Sequence, residues 1–207
     1  MTEKNALLVA LVLAGLGIHC RRPPSSPARQ GSSPASVPGK PQLLPPAREG
    51  ELPCDSKDQQ PVLLGPATRA AILAHRSIFQ ANTDKANLPP ALLKRWKDLA
   101  TPCTLVVAFG SWCGDSQREL PDFLALMAEE NPFVKVQFLG VYRDKKVAPG
   151  LWPPGLEPQT VANVPTFWLY VLQPGGSSKL LGSVVETPPK KGQRMAEAVL
   201  ELLEKAN

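Results

Sequence analysis

Cys113 stands where an apolar run, Leu105 to Phe109, passes through Gly110-Ser111-Trp112 into a segment carrying Leu120, Phe123, Leu124, Leu126 and Met127. The short run, rich in β-branched and aromatic residues, reads as a buried strand; the apolar residues spaced three and four apart read as a helix. The cysteine thus falls where a strand ends and a helix begins. Backbone N–H groups and the helix dipole favour negative charge there, and so favour thiolate, the nucleophilic form of cysteine. Ser116, three residues on, is too weakly acidic and too poor a sulfur nucleophile to displace a partner captured by Cys113. Its hydroxyl is still able to donate a hydrogen bond to the thiolate. Asp115 acts in the opposite sense: at about 7 Å and an effective dielectric near 40, its charge opposes the thiolate by roughly 1 kcal/mol, much as the helix start favours it. It also reads as a plain helix-start carboxylate, and the two readings are compatible. The combination describes a mild nucleophile suited to thiol–disulfide exchange.

The elements that must position this cysteine follow in order. Phe133 to Val141 reads as a second strand, parallel to the first through a right-handed helical crossover. Val147 to Gln159 is dense in proline and glycine and reads as a loop. Thr166 to Leu172 and Lys179 to Val185 form a hairpin around Pro174-Gly175-Gly176, and Lys190 to Leu203 closes the chain as a helix. Ahead of the core, Pro66 suits a first helical position, with Ala71, Ile72, Ala74, His75, Ile78 and Phe79 on one helical face. Asn82 to Pro90 is a turn-rich break, after which Leu92, Leu93, Trp96 and Leu99 repeat the helical pattern.

The chain has 207 residues, 24 of them proline, too many for one compact domain. Ala6 to Ile18 is apolar but shorter than the roughly 20 residues a bilayer needs, and it suits a signal-peptide core. Cys20 directly after it suggests a bacterial lipoprotein signal with that cysteine lipidated, or a signal in which Cys20 is incidental. Residues 21–60 are rich in Pro, Ser, Gly and Arg and read as a disordered tether of about 100 Å reach at most. Residues 61–207 form the domain, with its core at 101–207. The net charge of +5 is spread along the chain. No basic cluster alternates with aromatics, so nucleic acid is not an expected partner.

Trp112-Cys113-Gly114-Asp115-Ser116 resembles the Trp-Cys-Gly-x-Cys motif of the thioredoxin superfamily, with serine in place of the second cysteine. Pro121 matches the proline that kinks that family's active-site helix, Val164-Pro165-Thr166 its cis-proline loop, and Gly182 the glycine of its last strand. Tyr142 to Lys145 and Glu186 to Pro188 are similar to segments of a bacterial branch with a Trp-Cys-x-Asp-Ser helix start. The resemblance spans residues 69–207. It implies an α/β thioredoxin-like fold, a central mixed sheet flanked by helices, with one or two extra N-terminal helices. It further implies that Trp112, Gly114, Asp115, Val164 and Pro165 line a substrate site, although Trp112 also reads as a packing residue. Val107 replaces the buried aspartate that many thioredoxins carry. His75 lies far from Cys113 in the family layout and reads as a half-buried helix residue. With His19 in the signal, neither a Cys/His dyad nor a metal site is expected, and no cofactor.

Six strand residues at about 3.3 Å each separate Cys103 from Cys113 by roughly 20 Å, beyond the 7 Å reach of a disulfide. If Cys20 is lipidated, Cys54 and Cys103 are left to pair as a structural staple, or to stay as two thiols. Release of a substrate from Cys113 then needs an outside thiol, which suits monothiol reduction or isomerisation on envelope proteins, with protein or small-molecule thiols and disulfides as partners. A non-catalytic thioredoxin-fold module binding a peptide or protein is the alternative. A thiol peroxidase lacks support, since the Pro-x-x-x-Thr-x-x-Cys pattern is missing.

Overall fold

The structure is a computed structural model that describes residues 52–206. The expected signal at 1–20, Cys20 and most of the expected tether lie outside those residues. Among the described residues no helix is long and apolar enough to cross a membrane.

The elements are β1 (Gly65–Ala67), α1 (Arg69–His75), α2 (Ser77–Lys85), α3 (Pro90–Asp98), β2 (Cys103–Phe109), α4 (Gly114–Leu126), β3 (Val134–Gly140), β4 (Thr166–Leu172), β5 (Ser178–Val185) and α5 (Met195–Leu203), closed by a 3-10 turn at Glu204–Ala206. The sheet order is β1-β3-β2-β4-β5. β2 and β3 are parallel across the α4 crossover, and the other pairs are antiparallel. This is the thioredoxin-like arrangement implied by the sequence.

Side chains alternate across a strand, so β2 serves both faces of the sheet. Leu105, Val107 and Phe109 join a buried cluster with Ile72, Phe79, Trp96, Phe123 and Val199 of the helices. Val106 and Ala108 face the other way, toward Leu139, Val161, Val164, Trp168 and Tyr170. The Pro/Gly-rich segment is a loop, as expected, and it covers that second face: Val147, Trp152 and Leu156 pack on it, and the Trp152 and Trp168 rings meet edge to face at 5.5 Å.

α4 contains Pro121, which has no N–H to offer the Gln117 carbonyl four residues back. Asn82 of α2 supplies the missing donor, its Nδ2 lying 2.8 Å from that carbonyl. Asp122 of α4 is ion-paired with Arg194 and accepts from the Ala196 N–H at 3.2 Å, capping α5. α4 is therefore held from two sides.

Several boundaries differ from the sequence reading. Pro66 lies in β1, paired with Leu139 of β3, and the first helix begins after Thr68, whose Oγ1 accepts from the Ala71 N–H. α2 runs to Lys85, so the chain break starts later than Asn82. α5 begins at Met195, because Lys190 to Arg194 form a turn with Gly192 at positive φ. Residues 52–60, expected to belong to the tether, are ordered against the domain instead. Residues 52–60 include a bridge from Cys54 to Pro61, and the buried Asp55 is paired with Arg143. Their composition is polar, but two ion pairs, Asp55 with Arg143 and Asp58 with Arg76, dock them on the domain.

Candidate functional site

Cys113 occupies the N-cap of α4, with its N–H donating to the Gly110 carbonyl at 2.9 Å and its carbonyl accepting from Gln117 N–H at 2.9 Å. Its thiol is free and half-buried. The N–H groups of the first helical turn have no intrahelical acceptor and point toward this end. The Val164–Pro165 bond is cis, and the Val164 carbonyl lies 3.6 Å from Cys113 Sγ, close enough to accept from the thiol. Asp115 Oδ2 lies 4.0 Å from the same sulfur, nearer than sequence reasoning placed it. Its charge is answered by Arg118, one turn on, at 2.6 Å. The repulsion expected of Asp115 is accordingly shared out along the exposed face of the helix.

Ser116 departs from expectation. The residue is wholly buried, and its Oγ accepts from the Gly110 N–H at 3.2 Å. Among the described residues no hydrogen bond joins it to Cys113. A hydroxyl turned back beneath the strand end braces the turn and leaves the sulfur to other groups. Gly114 opens the helix with open space where a Cβ would lie, and Trp112 sits beside Cys113 against the second apolar cluster. Trp112, Cys113 and the Val164–Pro165 loop thus come together at one end of the sheet.

The Cys54–Cys103 staple does not form. Cys103 is a free, buried thiol, pushed up to about 11 by burial. It pairs with Val134 at the start of β3, whereas Cys54 adjoins Asp55, which bonds Arg143 just past the end of β3. A seven-residue strand separates those ends by about 20 Å, and a disulfide bridges no more than about 7 Å between Cα atoms. His75 is structural: its Nε2 lies 3.0 Å from the Pro61 carbonyl, and burial holds the imidazole below the usual histidine range.

Sequence reasoning missed four residues that build the site. Gly110 has no Cβ, and one there would lie 2.8 Å from the Trp112 ring, so only glycine lets the indole fold over the strand end. Asn163 and Glu186 hold the cis-proline loop: Asn163 Nδ2 donates to Glu186 at 3.0 Å, and the Glu186 N–H donates to the Pro165 carbonyl at 2.6 Å. Glu186 adopts φ 62°, which aims its N–H back at that loop. Lys145, also at positive φ, donates to the Ala162 carbonyl at 2.5 Å. The Arg-Asp-Lys and Glu-Thr-Pro segments were visible as motifs, but their roles depend on contacts across the fold. Among the described residues no group of three His, Cys, Asp or Glu side chains converges to hold a metal.

Residues 69–170 match the protein-family model described as Thioredoxin. Two similar solved structures are a protein of unknown function from Pseudomonas aeruginosa, at 22% identity, and an HIV epitope scaffold, at 21%. Each alignment covers 69% of this chain and 94% of the other, with a TM-score of 0.45. No curated protein matches the chain. With its sheet order, its cysteine at the mouth of α4 and the match over residues 69–170, this chain has a thioredoxin-like fold.

Proposed function

We propose that this is a membrane-tethered protein of the bacterial cell envelope that exchanges disulfides through one reactive cysteine, Cys113, as a monothiol reductase or isomerase. The observation that carries the reading is a free, half-buried thiol at a helix N-cap, beside a cis-proline loop, with serine at 116. The Cys113 thiolate attacks one sulfur of a substrate disulfide, forming the mixed disulfide and expelling the other sulfur as thiolate. Ser116 does not displace it. An outside thiolate, from the substrate's second cysteine or a small thiol, attacks the substrate sulfur and returns Cys113 as thiolate. Each step breaks one S–S bond and forms one, so isomerisation needs no net reductant. An extended substrate chain is expected to pair with the Val164 backbone. The tether rests on the apolar run before Cys20 and the proline-rich segment after it.

Recovery from the oxidising compartment of the wild type and of Cys113→Ser, run on non-reducing gels, tests this. Covalent partners that need Cys113 support exchange. Partners held equally by both proteins favour a non-catalytic binding module, a reading helped by the commitment of the Ser116 hydroxyl to Gly110.

A further inference from the structure

Beyond the thiol itself, three residues far apart in sequence form one connected hold. Asp55 is wholly buried, and its two oxygens accept from Arg143 Nε and Nη2 at 2.6 Å each. The same guanidinium lies over the Trp112 ring, 4.6 Å from its centroid. The indole edge is fixed separately, with Nε1 donating to the Val141 carbonyl at 2.9 Å. Trp112 immediately precedes Cys113 and packs in the same apolar cluster.

Arginine suits this task because its planar fork matches a carboxylate edge to edge while its face stacks on an aromatic ring. A surface ion pair contributes little, but a carboxylate taken out of water demands its partner. Arg143 is thus fixed in place by Asp55, and Trp112 is held on one edge and one face. Both arms of the fork that meet Asp55 are committed, and its charge is matched there, which leaves Arg143 poorly suited to recognising a substrate anion.

We propose that Arg143 is a positioning residue for the thiol site: it clamps the Trp112 indole as a wall beside Cys113, and Asp55 of the N-terminal arm locks the clamp. The arm is then a working part of the site although it lies outside the matched family region. This rests on the reading of Cys113 as the reacting group only for what the wall protects.

The full chain serves for the test, with Arg143→Met and Asp55→Asn compared with wild type. The first readout is hydrogen exchange of the Trp112 indole N–H, assigned with Trp112→Phe. It does not depend on Cys113 chemistry, so a Cys113 that proves unreactive sinks the proposed function and leaves this readout decisive. Exchange at least tenfold faster in both variants is expected. The second readout is the rate of Cys113 alkylation by iodoacetamide divided by that for a bulky fluorescent maleimide. This ratio should fall about fivefold in Arg143→Met, and change by less than twofold when the same substitution is made in Trp112→Ala. Indole exchange within twofold of wild type in the two folded variants would overturn the proposal. So would a ratio that shifts as much without Trp112 as with it. Should Arg143→Met fail to fold, Asp55→Asn, which alters only the lock, decides alone.

Discussion

Replacing Asp55 with asparagine keeps its shape and removes its charge, which isolates the buried one of the two ion pairs that dock the N-terminal arm. The Arg143 guanidinium holds the Asp55 carboxyl at about 2, down from an ordinary 3.8. That gap of roughly two pH units, at about 1.4 kcal/mol each, sets an upper bound near 2–3 kcal/mol. Arg143 is 25% exposed, so solvent screens the pair and about 2 kcal/mol is the expected contribution. The native pKa is the lower one. The contribution is therefore complete above pH 4, where the carboxyl is ionised in both states, and disappears as pH falls through 2, where both become protonated. Urea titrations of wild type and Asp55→Asn at pH 7 should differ by about 2 kcal/mol, or about 1 M in midpoint for an m-value near 2 kcal/mol/M. At pH 2 the difference should shrink to under about 0.5 kcal/mol. If the arm opens before the domain, the same loss appears as faster exchange of the Val62 amide, which donates to the Pro53 carbonyl. Equal stability at pH 7, or the same gap at both pH values, would refute the pair as the arm's anchor.

Cys103 should stay unmodified in native protein at pH 8 while Cys113 reacts, because a buried thiol near 11 is about one part in a thousand thiolate there; peptide mapping after alkylation reads both, and equal labelling would contradict its placement. Gly140→Ala should displace the chain leading into β1, since a Cβ there would lie 2.1 Å from the Leu63 carbonyl oxygen; loss of several kcal/mol in denaturant midpoint is expected, and a neutral variant would refute that contact. Asn82→Ala leaves the Gln117 carbonyl beside Pro121 without its donor and should cost about 1 kcal/mol, measured the same way.

The parts of the site that are contiguous in sequence were legible there. Strand, cysteine and helix follow one another from Leu105 to Met127, so their periodicity alone located the thiol at a helix mouth. The parts held across the fold were not. Asp55 sits in a polar stretch of tether-like composition, and nothing local reveals that it pairs with a residue 88 positions away. Cys103 and Cys54 were candidates for pairing by elimination, and strand direction separates them. The Ser116 hydroxyl faced two acceptable arrangements, sulfur or backbone, and burial beneath Gly110 selected the second. Pro66 suits a helix start and an edge strand alike, and the open edge beside β3 makes it a strand.

The most direct measurement is intact-mass spectrometry of the folded protein mixed with oxidised glutathione, followed over time before and after addition of free thiol. A single adduct on Cys113 that persists until the thiol arrives, and that discharges unaided in Ser116→Cys, is the predicted result. No adduct on Cys113, or release in the wild type without any added thiol, would contradict a lone reactive cysteine in this domain.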